Sequence, residues 1–469
     1  MLSPAPQVLR NEKPFGMADP SSTTQPIKNT QRSGLARAFI FRALSNKNYQ
    51  LFFSGQSISL IGTWMTRIAT SWLVYRLTGS ALLLGVVGFA GQIPSFLLAP
   101  VAGVLVDRWN RHRLLVATQV LALVQSLALA ILTLTGVIRI WHVILLSVFQ
   151  GLINAFDMPA RQAFVVEMVD RREDLANAIA LNSSMVNAAR LLGPSIGGVV
   201  IAAVGEGWCF MADAISYLAV IASLVAMTMT PRMTGPTKDA NILQQLREGW
   251  TYAARFAPIR DVLLLLALVS LVGMPYTVLM PVFANEILHG GPSTLGWLMA
   301  ASGVGALVGA LLLAARKSVL GLGKYIPLTA AVFGAGLVIF SFTRVLWLAL
   351  LLMIVTGFGF MVQMAASNTV LQTIVDEDKR GRVMSFYTMA FMGTAPFGSL
   401  LAGWVADKIG APHTLLCGGI GCVLGALWFA TTLPRLRRDV TPIYVKIGIL
   451  PEVAQGIQQT SELSVPPES

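Results

Sequence analysis

The sequence predicts an all-α integral membrane protein with twelve transmembrane helices in two pseudo-symmetric six-helix halves. Of its 469 residues, 55% are hydrophobic and only 12% are charged, whereas soluble globular proteins carry about 25% charged residues. Long apolar stretches recur along the whole chain, and the 42 glycines suit helices that approach one another closely in lipid. These observations exclude a soluble globular protein and favour a bundle of membrane-spanning helices.

Twelve apolar segments account for most of the chain. They are predicted near residues 49–76, 81–106, 114–136, 140–160, 175–204, 208–230, 262–285, 292–315, 325–343, 345–369, 382–406 and 412–433. The predicted organisation is a cytoplasmic tail, a first half, a linker, a second half and a cytoplasmic tail, at 1–47, 48–230, 231–261, 262–433 and 434–469. In the linker, Leu243, Leu246, Trp250 and Phe256 fall on one helical face. This pattern predicts an amphipathic helix on the membrane surface or, alternatively, a soluble packing helix.

Basic residues set the predicted orientation. With the N-terminus inside, the cytoplasmic segments hold 28 of the 34 lysines and arginines, whereas the outer connections hold four. The positive-inside rule therefore places both termini in the cytoplasm. The polar segment 1–47 is interpreted as a cytoplasmic tail and not as a signal peptide. The net charge of +12 is interpreted as loop charge beside an anionic leaflet, so no nucleic-acid partner is predicted.

The two halves carry a faint internal repeat. Segments four to five read GLINAFDMPARQAFVVEMVD and then RLLGPSIGG, and segments ten to eleven read GFGFMVQMAASNTVLQTIVD and then GTAPFGSLLAG. Each pair runs from a glycine-rich helix through VD and a charged loop to a helix with a mid-membrane proline. Duplication of a six-helix unit explains this shared order better than chance similarity between apolar helices.

A cluster of charge, GVLVDRWNRHR at residues 103–113, stands between the second and third segments. Its pattern resembles the loop signature of the major facilitator superfamily, and the matching residues are Gly103, Leu105, Asp107, Arg108, Arg111 and Arg113. In the fifth segment, RLLGPSIGG resembles the Gly-Pro motif of antiporters in that superfamily, through Gly193, Pro194, Gly197 and Gly198 with Arg190 before them. The overall sequence pattern of the chain is similar to that of the bacterial efflux branch that includes the enterobactin exporter.

The resemblance implies a latch between the two halves. In the superfamily the loop aspartate, here Asp107, meets the cytoplasmic end of helix eleven, here near residues 381–385. An acid on helix four, here Asp157, pairs with the loop arginine, here Arg111. Such a contact with a helix N-terminus supplies about 1 kcal/mol, which biases a two-state equilibrium without freezing it. The chain departs from many proton antiporters of the superfamily at Ser147, where they have an arginine.

Three charged residues lie well inside apolar segments: Arg67, Arg190 and Asp213. Each costs several kcal/mol unless it is paired or faces water. One reading is a proton or substrate site that uses Asp213 with either arginine. The other is a buried ion pair that orders helices one, five and six. The ion-pair reading is preferred for Asp213 and the functional reading for Arg190.

The resemblance also implies a cavity lined by helices one, four, seven and ten. The candidate lining residues are Gln56, Trp64, Arg67, Gln150, Asn154, Tyr276, Met361, Gln363, Met364 and Asn368. Flexible methionines and aromatic rings suit a broad amphipathic ligand, although the methionines also fit ordinary helix packing. Pro275 and Pro281 predict a bend in helix seven.

Alternating-access transport is the activity that the resemblance implies. We expect a monomer in the bacterial plasma membrane that exports a small amphipathic molecule, such as a drug or siderophore, in exchange for protons. Asp157 is expected to carry the coupling proton with Arg161 or Arg111 as its charge partner, and Asp213 is the alternative carrier. Import of a sugar or metabolite on the same fold remains the alternative function.

Other functional classes find little support in the residues. The four histidines and the three cysteines show no metal-site spacing, and the sequence has neither a nucleophile elbow nor a phosphate-binding loop. An enzyme and an ATP-driven pump are therefore disfavoured, and no metal or organic cofactor is predicted.

Overall fold

The computed structural model describes residues 42–169, 171–228, 251–316, 318–377 and 379–449, without the side chains of Pro100, Val104, Asp107 and Arg172. Across these ranges the chain forms twelve long helices and no strand. We number them α1 Lys47–Thr78, α2 Ala81–Arg108, α3 Arg111–Leu134, α4 Ile140–Met168, α5 Arg172–Val204, α6 Glu206–Val225, α7 Ala257–Ile287, α8 Pro292–Ala314, α9 Leu322–Phe342, α10 Leu346–Ile374, α11 Arg380–Ile409 and α12 Ala411–Lys446.

Within the described ranges, eleven helices are long and apolar enough to cross a membrane. The twelfth, α1, has 32 residues but is more polar, and its middle holds Gln56, Ser59 and Arg67. It packs against α2, α4, α5 and α6, so that Gln56 and Ser59 are buried among other helices. The predicted fold class, an all-α membrane protein of twelve helices, is therefore confirmed.

Successive helices run in alternating directions, so the helix ends form two sides. We term the side with the α2–α3 turn, residues 109–110, the basic side, and the opposite side the distal side. On the distal side a single glycine separates the fifth and sixth helices of each half: Gly205 between α5 and α6, and Gly410 between α11 and α12. Their φ angles of 92° and 85° lie in the left-handed region that favours glycine. The two turns therefore have the same backbone conformation, as expected if the six-helix unit was duplicated.

The halves pack on each other through two reciprocal crossings. α5 packs on α8 at Gly198, where a methyl group would lie 2.8 Å from Gly296 Cα. α11 packs on α2 at Gly403, where a methyl group would lie 2.9 Å from Gly85 Cα. In each crossing the fifth helix of one half meets the second helix of the other, and small residues permit the close approach. This reciprocity supports the duplication inferred from the repeat.

Two of the helices between the halves are interrupted by π-helical turns. α7 contains Val269–Gly273 and Phe283–Ile287, and α11 contains Met389–Gly393. Such turns are rare and often mark functional segments. The first π-helical turn of α7 lies against the π-helical turn of α11, where Ser270 Oγ donates a hydrogen bond of 2.5 Å to the Phe391 carbonyl. The irregularity predicted for helix seven from its prolines thus takes the form of π-helical turns.

Two predicted helix ends are wrong, and one prediction lies outside the described residues. α4 continues past 160 to Met168, and α12 continues past 433 to Lys446. In both extensions apolar side chains one turn apart are buried, Phe164 and Met168 in α4 and Leu436 and Val440 in α12, so packing prolongs the helix. Most of the linker, with Leu243, Leu246 and Trp250, falls outside the described residues, as does the tail up to residue 41.

Candidate functional site

The distal side of the interface between the halves is closed. Tyr75 OH on α1 donates a hydrogen bond of 2.6 Å to Glu286 Oε1 on α7, and Asn285 Nδ2 donates one of 3.3 Å to the Tyr75 oxygen. The Gly198–Gly296 crossing lies on the same side, near the distal ends of α5 and α8. The two halves therefore touch through both polar and close-packed contacts beside the distal surface.

The basic side of the same interface is open. α2 and α11 remain in contact as far as Phe96, against which a methyl group on Gly393 would press. Nearer the basic side, Gly103 on α2 and Gly381 on α11 have no described atom within 4 Å of where a Cβ would stand. The first segment of α11, Arg380–Thr388, packs instead against α10 and α7. The side chain of Asp107 is outside the described residues, so the predicted latch with residues 381–385 stays a prediction.

The predicted pairing of Arg111 with Asp157 is wrong. Arg111 at the start of α3 forms an ion pair with Glu167, near the basic end of α4. Asp157 lies ten residues earlier on α4, which places it about 15 Å deeper in the bundle. That depth puts it out of reach of Arg111. Arg108 and Arg113, the other arginines of the motif, are exposed.

Asp157 has a complete set of partners of its own. It forms an ion pair with Arg161, one turn further along α4, as one of the two expected pairings had it. Thr118 Oγ1 and Gln119 Nε2 on α3 donate hydrogen bonds of 3.0 and 2.7 Å to its Oδ1. The Asp157 side chain is only 4% exposed, whereas that of Arg161 is 25% exposed. The pair therefore links a buried carboxylate to a cation that reaches an accessible surface.

Asp213 on α6 does not form the predicted ion pair. It is 1% exposed, and within the described part of the chain no arginine or lysine lies within ion-pair distance. Ser126 Oγ on α3 donates a hydrogen bond of 2.8 Å to its Oδ2. A methyl group on Gly62 of α1 would lie 2.7 Å from its Oδ1. Asp213 thus sits where α1, α3 and α6 meet, and its carboxylate is held by the Ser126 hydroxyl, while the arginines pair elsewhere or lie at Trp64.

Arg67 and Arg190 converge on one aromatic ring. The Cζ atom of Arg67 lies 4.6 Å from the ring centroid of Trp64, and that of Arg190 lies 5.8 Å from the same centroid. Trp64 and Arg67 come from α1 and Arg190 from α5, so two like charges share one ring. Gly303 on α8 lies against the carbonyl of Arg190. These residues bring both halves to one place between the helices.

The Gly-Pro motif brings α5 close to helices of both halves. A methyl group on Gly193 would overlap Trp64 Cβ, and one on Gly197 would lie 3.2 Å from Met65 Cα. On its other face, the Pro194 carbonyl oxygen lies 2.7 Å from the Cβ position of Gly296 on α8. The Gly-Pro motif therefore makes close helix contacts at Gly193 and Pro194, and the contact at Gly193 brings Trp64 beside α5, which carries Arg190.

The remaining predicted cavity residues divide by burial. Gln150 and Asn154 are half-buried and bonded to each other, with 3.1 Å between Nε2 and Oδ1. Met364 and Asn368 on α10 are also half-buried. By contrast, Gln56, Tyr276, Met361 and Gln363 are buried. Tyr276 OH lies 2.7 Å from Ser302 Oγ on α8, within hydrogen-bond distance, so the Tyr276 side chain is part of the packing between α7 and α8. No group of three or more histidine, cysteine or acidic residues in the described ranges has the geometry of a metal site.

Sequence reasoning missed the residues that close the distal side and that pair with Arg111. Tyr75 stands among apolar residues, and Glu167 stands in a charged stretch, so neither position is distinctive in the sequence. The one available signal was spacing: Glu167 is within one turn of the basic end of α4, at the level where α3 begins.

Comparisons with known proteins identify the family of the chain. The profile of a family described as transmembrane secretion effector matches residues 39–452. The chain is 27% identical to the staphyloferrin A transporter of Staphylococcus aureus, over 83% of this chain and 97% of that protein. It is 29% identical to the multidrug efflux pump Tap of Mycolicibacterium fortuitum, over 80% of this chain and 93% of that protein. Macrolide efflux protein A of Streptococcus pyogenes is 23% identical, over 79% and 92% of the two chains.

Solved structures show the same fold at low identity. A bacterial homolog of the human lysosomal transporter Spinster, in an inward-facing and unoccupied conformation, has a TM-score of 0.67 and 13% identity. That match covers 84% of this chain and 97% of the other. A mutant of the nucleoside transporter NupG has a TM-score of 0.64 and 12% identity, with 82% of this chain and 99% of the other covered. At such identities the likeness concerns the fold alone.

Proposed function

The chain belongs to the transmembrane secretion effector family of the major facilitator superfamily, and we propose that it exports small amphipathic molecules by alternating access. It is a multi-pass membrane transporter of the efflux type, like the multidrug and macrolide efflux proteins among its relatives. The observation that carries the proposal is the asymmetry of the interface between the halves. The distal side is closed by Tyr75 and Glu286, while the basic side is open at Gly103 and Gly381.

We propose that the basic side faces the cytoplasm of a bacterium, since basic residues collect at that side of the bundle. The conformation described is then open to the cytoplasm and closed to the outside. A molecule would enter from the cytoplasm between the halves, and closure at the α2–α3 turn with opening at Tyr75 would release it outside. We further propose that the transporter acts as a monomer, without nucleic acid and without a catalysed reaction.

Proton antiport is the proposed source of energy, and the Asp157–Arg161 pair is the proposed coupling element. A coupling acid must exchange its proton with one side at a time, which requires a path to an accessible surface. Arg161 provides such a path because its side chain is partly exposed while Asp157 is not. If Arg161 leaves the pair as the helices move, the carboxylate loses its counter-ion and takes up a proton. Asp213 has no exposed neighbour of this kind among its described contacts.

Substrate accumulation in whole cells tests the proposed direction of transport. Cells lacking the chain and cells overproducing it are loaded with dyes, macrolides and siderophores, and retention is followed with and without an uncoupler. We expect overproduction to lower the retention of at least one amphipathic compound, and the uncoupler to abolish the difference. Higher retention on overproduction would indicate import of a metabolite instead, and equal retention of every compound would contradict the proposal.

A further inference from the structure

Two arginines in membrane-spanning segments have no anionic partner. In the described ranges, neither Arg67 nor Arg190 lies within ion-pair distance of an acid, whereas Arg76, Arg111 and Arg161 each pair with one. A cation inside a membrane segment is energetically costly unless it is paired or faces water. The two like charges stand at one indole ring, 4.6 and 5.8 Å from its centroid, so neither can serve as the counter-ion of the other. Two cations without an acidic partner at one ring therefore offer a place where an anion from outside the chain can bind.

The buried acid of α6, Asp213, is committed to another contact. Asp213 lies between α3, α6 and the Gly62 face of α1, where Ser126 bonds it. Arg67 is five residues beyond Gly62, which turns it about 140° around α1, away from α6. Arg67 is exposed and Arg190 is half-buried. Arg67 therefore points away from Asp213, and its guanidinium group shares the Trp64 ring with that of Arg190.

The position of the arginines fits a binding site between the halves. Arg67 is eight residues before Tyr75, which places it about 12 Å below the distal closure. Gly303 on α8 lies against Leu191 and the carbonyl of Arg190, and Tyr276 on α7 lies 2.7 Å from the hydroxyl of Ser302, the residue before Gly303. Helices of the second half therefore adjoin α5 at Arg190, and the open basic side is the route from this place to solvent.

The chemistry of the three side chains specifies the ligand. Guanidinium groups bind carboxylates through two parallel hydrogen bonds. The indole of Trp64 lies against both cations, and it adds apolar surface beside them that an aromatic or apolar part of a ligand can contact. A cationic amphipath would instead meet two like charges and be repelled by both.

We propose that Arg67, Arg190 and Trp64 form an anion-binding subsite, and that the exported substrates are carboxylate-bearing amphipaths rather than cationic ones. This inference rests on the proposed export function and names its substrate class. The bound carboxylate relieves the repulsion between the arginines, so the loaded transporter closes its basic side more readily than the empty one. Binding energy is thereby used to favour movement with substrate over movement without it.

Two dyes that share a ring scaffold test the charge preference. Fluorescein carries a free carboxylate and is anionic, whereas rhodamine 123 is an ester and is cationic. Their binding to the full chain in phosphatidylcholine nanodiscs is measured by fluorescence anisotropy. We expect wild-type protein to bind fluorescein at least about tenfold more tightly than rhodamine 123. Arg67→Gln and Arg190→Gln should each weaken fluorescein binding about tenfold and leave rhodamine 123 binding equal or tighter.

Matched variants separate recognition from folding. Arg438→Gln removes an exposed arginine at the far end of α12 and should leave both affinities unchanged. Arg67→Lys and Arg190→Lys keep the charge but lose the planar fork, so they should fold normally and show intermediate affinity. Thermal unfolding of every variant confirms that the site, and not the fold, has changed.

The remaining outcomes each decide against the inference. Fluorescein binding that is unaffected by both glutamine variants, or wild-type protein that prefers rhodamine 123 or binds neither dye, overturns it. Displacement of fluorescein when phosphatidylglycerol replaces phosphatidylcholine assigns the subsite to a lipid headgroup and also overturns it. Cells that expel rhodamine 123 but retain fluorescein would refute the substrate class while leaving export intact. Cells that expel nothing refute the export function itself.

Discussion

Tyr75 on α1 and Glu286 on α7 are joined by a hydrogen bond of 2.6 Å, and this bond crosses between the two halves of the transporter. A hydrogen bond to a charged group contributes about 1.5–3 kcal/mol. Since the bond exists only while the distal side is closed, it stabilises this conformation relative to the opposite one. Its loss should move the equilibrium between the two conformations without loosening either half.

We predict that Tyr75→Phe shifts this equilibrium about tenfold towards the form open on the distal side. Spin labels at the exposed distal positions Val137 and Trp347, one in each half, report the separation by electron–electron resonance. Tyr49→Phe is the matched control, because its hydroxyl bonds the Ala178 carbonyl at 2.8 Å within the first half. Identical distance distributions in Tyr75→Phe and wild type would show that the bond does not hold the distal side.

The close contact at the Gly-Pro motif gives a stability prediction. Gly193→Ala places a methyl group against Trp64 Cβ and the Ile61 carbonyl, so we expect it to destabilise the protein by about 1–3 kcal/mol. The change should appear as a lower melting temperature in detergent and reduced transport. Gly91→Ala is the control, since its new methyl group would meet nothing nearer than 3.8 Å. Equal melting temperatures for the two variants would contradict the packing described at α5.

Gly103 gives a prediction about the conformation that is not described. Because no described atom lies within 4 Å of its Cβ position, Gly103→Leu should fold with near-normal stability in the form open on the basic side. When that side closes, the motif must approach α11, and a leucine side chain would obstruct it. We therefore expect normal expression and at least tenfold lower transport. Asp107→Asn should likewise impair transport while leaving expression near normal. Wild-type transport rates in both variants would contradict the latch hypothesis.

The sequence alone was sufficient for the number of helices and for the motifs, because both depend on local patterns. The length of each apolar segment predicts a membrane span, and the small residues of the Gly-Pro motif predict a close helix contact. Partner choice between charged side chains was not predictable in the same way. Arg111 selects Glu167 over Asp157 because of depth along α4, and Asp213 meets Ser126 because of the rotation of α6. Depth and rotation are tertiary quantities that no single-sequence pattern records.

The surroundings of Asp213 bear on which acid carries the coupling proton. The expectation that an arginine pairs with Asp213 was wrong. Because Asp213 has no counter-ion, neutralisation by an arginine cannot be the reason to exclude it as the coupling acid. Access does distinguish them: Asp157 is linked to the partly exposed Arg161, whereas Asp213 is held by a buried serine. A coupling acid needs access, and Asp157 is therefore the stronger candidate.

We predict that Asp157→Asn loses transport driven by a pH gradient in proteoliposomes but keeps downhill exchange of the same substrate. The amide keeps the size of the side chain and its bonding to Thr118 or Gln119, but it cannot take up and release a proton as the carboxylate can. Asp213→Asn is the matched variant and should keep gradient-driven transport, since an amide can still accept the Ser126 bond. Loss in Asp213→Asn with retention in Asp157→Asn would reverse the assignment. Retention in both would mean that neither acid couples transport to protons, and the energy source would then have to be sought in another residue or another ion.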